Sequence, residues 1–282
     1  MWNQANSMET LQAIVLGIVQ GLTEFLPISS TAHLRAVPAL LGWADPGVDF
    51  TAVIQLGSVL ALFTYFRKDI VELSVASFNA IKKGDLASKD SRIAGAIVVG
   101  TIPVCVIGLA LKGILEENNG PLRSLYVIGT ASIVMGLLLL LAEKVAKHTR
   151  SIDSIGVKDG LIIGLGQALA LIPGCSRSGS TLTVAMLSNL KREDAARFSF
   201  LLGIPATTLS GLLELKHFAE RGTTDSNIAA LVVGTIVSAA VSYAAIAWLL
   251  KYLSNHSTWI FVVYRIIFGA ALIGLTSANL IH

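Results

Sequence analysis

The chain has 282 residues, of which 54% are hydrophobic and only 14% charged, with a net charge of +3 and a mean hydropathy of +0.71. That balance is too apolar for a soluble domain, which must cover itself with polar surface, so the bilayer is the expected solvent. The basic residues sit in short loops between apolar runs, where they act as topology signals and exclude a nucleic-acid footprint; no nucleic-acid partner is expected.

The opening segment MWNQANSMET holds no basic residue, so it lacks the charged region of a cleavable secretory signal, and the first apolar segment is expected to stay in the protein. From 11 to 41 the apolar run is broken by PISSTAH and reads as a broken or re-entrant helical hairpin. Irregular backbone at membrane depth is tolerated only where protein buries it or it lines a wet cavity. Membrane-spanning helices of about 20 residues are then expected at 50–66, 93–111 and 124–143. A second broken region, 158–190, is interrupted by PGCSRSGST, and spans follow at 195–215, 228–250 and 259–281. Cys105 and Cys175 have neither the spacing of a metal site nor the number for a disulfide framework.

One broken hairpin followed by three spans thus occurs twice. The run VVGTI recurs at 98–102 and 232–236, and GIVQGLTEFLP (17–27) resembles GLGQALALIP (164–173), which supports an internal duplication. Three spans per half is odd, so the expected fold is all-α with two inverted-topology repeats, about 10–145 and 156–282, in a single membrane domain over 1–282. Loop charges orient it. Arg67, Lys68, Lys82, Lys83, Lys89 and Arg92 follow the first span, and Lys144, Lys147, Arg150 and Lys158 the third, which makes those loops cytoplasmic. The loops at 112–123 and 216–225, with Glu116, Glu117, Glu220 and Asp225, are expected to face outward. Hairpin one then enters from outside, hairpin two from the cytoplasm, and their polar tips meet near the midplane.

Glu24, His33 and Arg177 are ionisable groups inside apolar hairpins, where an acid or arginine costs at least about 2.5 kcal/mol near the bilayer centre. A structural Glu24–Arg177 pair would offset that cost; a functional site is the alternative. Gln20 and Glu24, four apart, share a helix face and offer oxygens suited to Mg2+ or Ca2+, completed by water and substrate phosphate. The second half has Gln167 and Leu171 there, so any metal site belongs to the first hairpin. Ser29, Ser30 and Thr31 are good N-cap residues, and a helix N-terminus favours phosphate. The second tip repeats the device with Gly174, Ser176, Arg177, Ser178 and Thr181. Its glycine lets backbone approach a ligand, and its arginine matches phosphate oxygens.

QGLTEFLPISSTAH and PGCSRSGST resemble, in order and spacing, the two signature motifs of the undecaprenyl-diphosphate phosphatase, or bacitracin resistance protein, family, and the likeness covers nearly the whole chain. The resemblance implies hydrolysis of undecaprenyl diphosphate to undecaprenyl phosphate with a divalent cation, which recycles the lipid carrier for cell-wall synthesis. It also implies a multi-pass protein of the bacterial inner membrane, and the charge bias opens its site toward the periplasmic side. Gln20 and Glu24 match the family's acidic motif, Ser29, Ser30 and His33 its serine and histidine positions, and Arg177 its phosphate-binding arginine. Gln20 stands where glutamate is frequent, and Ala32 and Cys175 replace a common glycine and a common aromatic. The other large class of membrane lipid phosphatases needs a histidine six residues after its arginine, where this chain has Thr183. His148, His217, His256 and His282 are expected to be solvated.

On this reading Ser30 is the candidate nucleophile. His33, three residues on, would take its proton or protonate the leaving oxygen. Direct attack by metal-activated water, with Ser30 only binding phosphate, stays open. A transporter or flippase of a phosphorylated lipid or anion is the rival class, since inverted repeats with broken helices mark carriers too. A homodimer is left open by the sequence.

Overall fold

The computed structural model describes residues 10–84, 88–111, 113, 122, 124–221 and 228–281. The protein is an all-α integral membrane protein. Among the described residues five helices are long and apolar enough to cross a bilayer, and six if the bent pair described below counts as one span.

The first hairpin is α1 (Thr10–Phe25) and α2 (Ser30–Leu41), and the second is α7 (Val157–Ala168) and α8 (Arg177–Leu187), the latter pair joined through a 3-10 turn at Leu169–Leu171. Twelve residues of helix rise about 18 Å, well short of a hydrocarbon core of roughly 30 Å, so neither α2 nor α7 can span it. Spanning falls to α5 (Lys89–Ala110), α6 (Leu125–Val145), α9 (Arg192–Arg221), α10 (Ile228–Asn255) and α11 (Trp259–Ser277), which match five of the six stretches read from the sequence, while the stretch at 50–66 forms α3 (Gly47–Tyr65), which counts as a span only together with the helix bent from its end. Local chemistry sets several ends. Ser88 and Ser124 accept backbone N–H bonds as N-caps of α5 and α6, and left-handed Gly42, at φ 67, closes α2.

The basic linker after the first span departs from expectation. It folds as α4 (Arg67–Lys83), bent 70° from α3 at Phe66. Val71, Val75 and Phe78 recur at i, i+4 and i+7 and are all exposed, which is the pattern of an amphipathic helix and not of a loop. An ion pair from Asp69 to Arg197 anchors it to α9. Most of the loop expected at 112–123, and 222–225 of the other, lie outside the described residues. Lys216 and Glu220 continue α9 as an i, i+4 pair 3.6 Å apart instead of forming a loop.

One end of the bundle is stitched by polar contacts. Glu143 of α6 accepts from Arg192 Nε at 2.8 Å and from the Thr258 hydroxyl at 2.8 Å. Arg150 reaches Asp159 at 2.8 Å and the Ser188 carbonyl at 3.1 Å, and Lys89 pairs with Asp153 at 2.8 Å. The C-terminal ends of α3, α6 and α8 and the N-terminal ends of α5, α7, α9 and α11 therefore gather here. The first hairpin runs straight into the start of α3 and so opens at the other end.

The two halves also pack crosswise. A Cβ on Gly17 would lie 2.6 Å from the Gly234 carbonyl oxygen, and one on Gly164 would lie 2.1 Å from that of Gly100. The hairpin helix of each half thus lies directly on the VVGTI helix of the other, so the matching short sequences are each other's packing surfaces.

Candidate active site

At the first tip, Gln20 and Glu24 share one face of α1 as their spacing predicts. After buried Phe25 the chain turns sharply, Ile28 N–H donating to the Leu26 carbonyl at 2.7 Å. Ser29 then adopts φ 77 and α2 begins at Ser30. The second tip has the same form. Ser176 adopts φ 70 and α8 begins at Arg177. Ser29 pairs with Thr31 through hydroxyls 3.1 Å apart, as Ser176 does with Ser178 at 3.2 Å. Ser30 and Arg177 therefore hold equivalent positions, each the first residue of its tip helix.

Both converge on Glu24. The Ser30 hydroxyl donates to Glu24 Oε2 at 2.7 Å, Arg177 Nη2 donates to Oε1 at 3.1 Å, and the Gln20 amide donates to Oε2 at 3.2 Å. The Glu24 and Arg177 side chains are only 9% and 11% exposed, so this is a nearly dry ion pair beside two helix N-termini. Arg177 keeps donors in hand. Among the described residues its Nε and Nη1 are buried without a hydrogen-bond partner. A buried donor left unmade costs about 1–3 kcal/mol, more when charged, and an anion at the tip would remove that cost. Gly203 makes room for the guanidinium, since a Cβ there would sit 1.8 Å from Nη1.

A scan against family models matches residues 13–271 to the family described as Bacitracin resistance protein BacA. The chain is 56% identical over 270 residues to the undecaprenyl-diphosphatase of Gloeobacter violaceus, covering 96% of this chain and 93% of that one. It is 53% identical to the Synechococcus elongatus protein of the same name, covering 96% and 94%, and 55% identical to that of Myxococcus xanthus, covering 95% and 89%. The chain belongs to the BacA family.

Several expected site residues of this BacA-family protein have other partners. His33 does not meet Ser30. Its Nδ1 lies 2.7 Å from the Ser29 carbonyl oxygen and its Nε2 lies 2.6 Å from the Tyr264 hydroxyl, so the hydrogen-bond partner of Ser30 is Glu24. Ser29, at the N-cap position, makes no side-chain cap, because its hydroxyl goes to Thr31. Ser176 does cap, accepting from Gly179 N–H at 3.1 Å. Thr181 is fully buried and donates to the Arg177 carbonyl at 2.8 Å while meeting Ser199, which commits it to helix packing. Ser178 joins the tips by donating to the Leu26 carbonyl at 3.0 Å. Gly174, at φ 94, lies against the backbone of α6, where a Cβ would fall 2.5 Å from the Ile128 oxygen, so close packing by itself requires glycine there. Thr31 is exposed beside the tip.

Arg265 went unnoticed in the sequence. It is 1% exposed and donates from Nη1 to the Pro27 carbonyl at 2.8 Å and from Nη2 to the Gly174 and Cys175 carbonyls at 2.7 and 3.1 Å. Its Nε donates to the Ser132 carbonyl at 3.1 Å. One guanidinium thus ties both tips to α6 and places a positive charge behind them. The signal was an arginine inside an apolar span, a costly placement that singles a residue out as one with specific partners in a membrane protein. Behind Gln20 lies a second missed feature, a buried hydroxyl cluster. Gln20 donates to Ser58 at 3.3 Å, and Ser242 donates to Ser58 at 2.9 Å.

The donor set fits a hard divalent cation in part. Glu24 carboxylate, Ser30 hydroxyl and the Gln20 amide, if rotated to present its oxygen, are oxygen ligands of the right kind. Among the described residues no group of three or more His, Cys, Asp or Glu forms a cage, so a cation held here would need phosphate oxygens and water to complete its shell.

Proposed function

We propose that this BacA-family protein is a membrane phosphatase that hydrolyses undecaprenyl diphosphate, the lipid named in its relatives' activity, to undecaprenyl phosphate and inorganic phosphate. The observation that carries the reading is the convergence of Ser30 and Arg177 on Glu24, with two buried Arg177 donors left for an anion. The terminal phosphate takes those donors and the free N–H groups at the starts of α2 and α8. Ser30 attacks the terminal phosphorus and its proton passes to Glu24, the carboxylate it already touches. The Ser30 Oγ–P bond forms, the bridging P–O bond breaks, and undecaprenyl phosphate leaves. Water then hydrolyses the phosphoserine. Arg177 stabilises the charge on the transferring group in a site where little water competes. A divalent cation, Mg2+ or Ca2+, held by Glu24, Gln20 and Ser30, would supply further neutralisation of the diphosphate.

Supporting an inner-membrane, outward-opening site is the gathering of Arg67, Lys68, Arg92, Lys144, Lys147, Arg150, Lys158, Lys191 and Arg192 at the stitched end, opposite the mouth of the first hairpin. The crosswise glycine contacts and the paired tips support two inverted repeats. Exposed apolar helix faces leave room for a homodimer, which cross-linking in membranes tests. A carrier is not favoured, because it has no need of a serine hydroxyl on a carboxylate. Purified protein in detergent micelles should release phosphate from undecaprenyl diphosphate with multiple turnover, and a chelator should suppress the release until Mg2+ or Ca2+ is restored. Binding of the lipid without release would favour the carrier.

A further inference from the structure

Tyr264 and His33 meet from positions 231 residues apart. The imidazole is 6% exposed and lies in a parallel stack, its centroid 4.2 Å from Phe268 and 5.6 Å from Tyr264, with interplanar angles of 10° and 15°. Its Nδ1 faces the Ser29 carbonyl oxygen, which can only accept, so Nδ1 carries the proton. In the uncharged ring Nε2 is then bare and accepts from the Tyr264 hydroxyl.

The carbonyl that His33 holds belongs to the strained residue of the tip. Ser29 adopts φ 77, a left-handed conformation that strains a non-glycine residue and persists only where its surroundings over-determine it. Its counterpart Ser176 shows what differs. There the carbonyl accepts the backbone N–H four residues on, from Ser180, at 2.9 Å, whereas the matching bond from His33 N–H to the Ser29 carbonyl is stretched to 3.4 Å. In the first tip the His33 side chain, at 2.7 Å, supplies the short bond that the backbone does not.

We propose that Tyr264 is a positioning residue of the active site: by donating to His33 Nε2 it anchors the imidazole, and the imidazole Nδ1–H, whose tautomer the Ser29 carbonyl sets, holds the Ser29 turn so that the Ser30 hydroxyl stays on Glu24. The effect on turnover rests on Ser30 and Glu24 acting as assigned above; the tautomer does not. Tyr264→Phe keeps the ring stack and removes only the hydroxyl, so it isolates this role.

The test is 15N NMR of histidine-labelled protein in micelles, with His33→Gln identifying the His33 signals, together with steady-state phosphate release. The unaltered protein should show His33 as the Nδ1–H tautomer. Tyr264→Phe should move the His33 Nε2 resonance to that of a ring nitrogen that accepts no hydrogen bond, and should lower kcat by about tenfold or more, with KM little changed, as expected of a misplaced nucleophile. An Nε2–H tautomer in the unaltered protein would overturn the proposal without any variant. So would a Tyr264→Phe protein whose turnover falls with the Nε2 resonance unchanged, or whose Nε2 resonance moves with turnover intact. Because the tautomer is read without substrate, failure of the phosphatase reading shows separately, as absent phosphate release in the unaltered protein.

Discussion

Ser29 and Ser30 are neighbours of the same chemistry, yet the turn at Ser29 sends their hydroxyls to different partners, Thr31 and Glu24. Alanine variants should therefore separate them. Ser30→Ala removes the proposed nucleophile and should abolish nearly all turnover while a non-hydrolysable diphosphate analogue still binds; Ser29→Ala should lose far less. Configuration at phosphorus decides independently. Two in-line displacements through phosphoserine retain it, and inversion would show that water attacks directly. Arg265 calls for a different pair. Arg265→Met leaves four bonds to carbonyls unmade, at about 1–3 kcal/mol for each buried acceptor, and should lower the unfolding temperature in micelles. Arg265→Lys keeps the charge, but three donors on a flexible stem cannot hold Pro27 of one tip and Gly174 of the other in a fixed relation. Its turnover should fall roughly a hundredfold, on the scale expected for a misplacement of about 1 Å. Normal turnover in the lysine variant would mean that charge alone suffices.

At the scale of helices, the crosswise contacts make a sharp demand on side-chain size. Gly164→Val places atoms where the Gly100 backbone already lies, and backbone cannot move aside as a flexible side-chain end can. Helices α5 and α7 must separate, so this variant should be destabilised by at least about 1–3 kcal/mol, the usual range for overpacking. Gly274→Ala is the control, since a Cβ there meets nothing within 4 Å. Equal melting temperatures for the two variants would show that the close approach of α5 and α7 is not needed. The bent helix α4 illustrates the opposite case. Its Val71, Val75 and Phe78 are exposed, and its 70° angle to α3 suits a helix lying along the bilayer surface.

For the whole molecule, orientation follows from which end carries the basic residues. Single cysteines at Asp45, beside the mouth of the first hairpin, and at Asp153, in the stitched end, are both exposed in the structure and suit labelling once Cys105 and Cys175 are replaced. A membrane-impermeant thiol reagent should label position 45 in intact cells and position 153 only after permeabilisation. The reverse pattern would place the active site on the cytoplasmic side.

Hydrophobic length and its interruption by proline, serine and charge are local properties, so five spans, the apolar run of α3 and both broken hairpins were legible in the amino-acid sequence. The i, i+4 spacing likewise put Gln20 and Glu24 on one face, because a single helix fixes that relation by itself. α4 was missed because its charged ends masked a short apolar stripe. Which groups touch at the tips was decided only by tertiary structure. His33 stands three residues from Ser30 yet turns to Tyr264, 231 residues away, and Arg265 reaches Pro27 across 238 residues. The equivalence of Ser30 and Arg177 emerges only when two left-handed serines set two helices on a common carboxylate. Such contacts depend on how separate helices cross, and periodicity along one chain carries no record of that crossing.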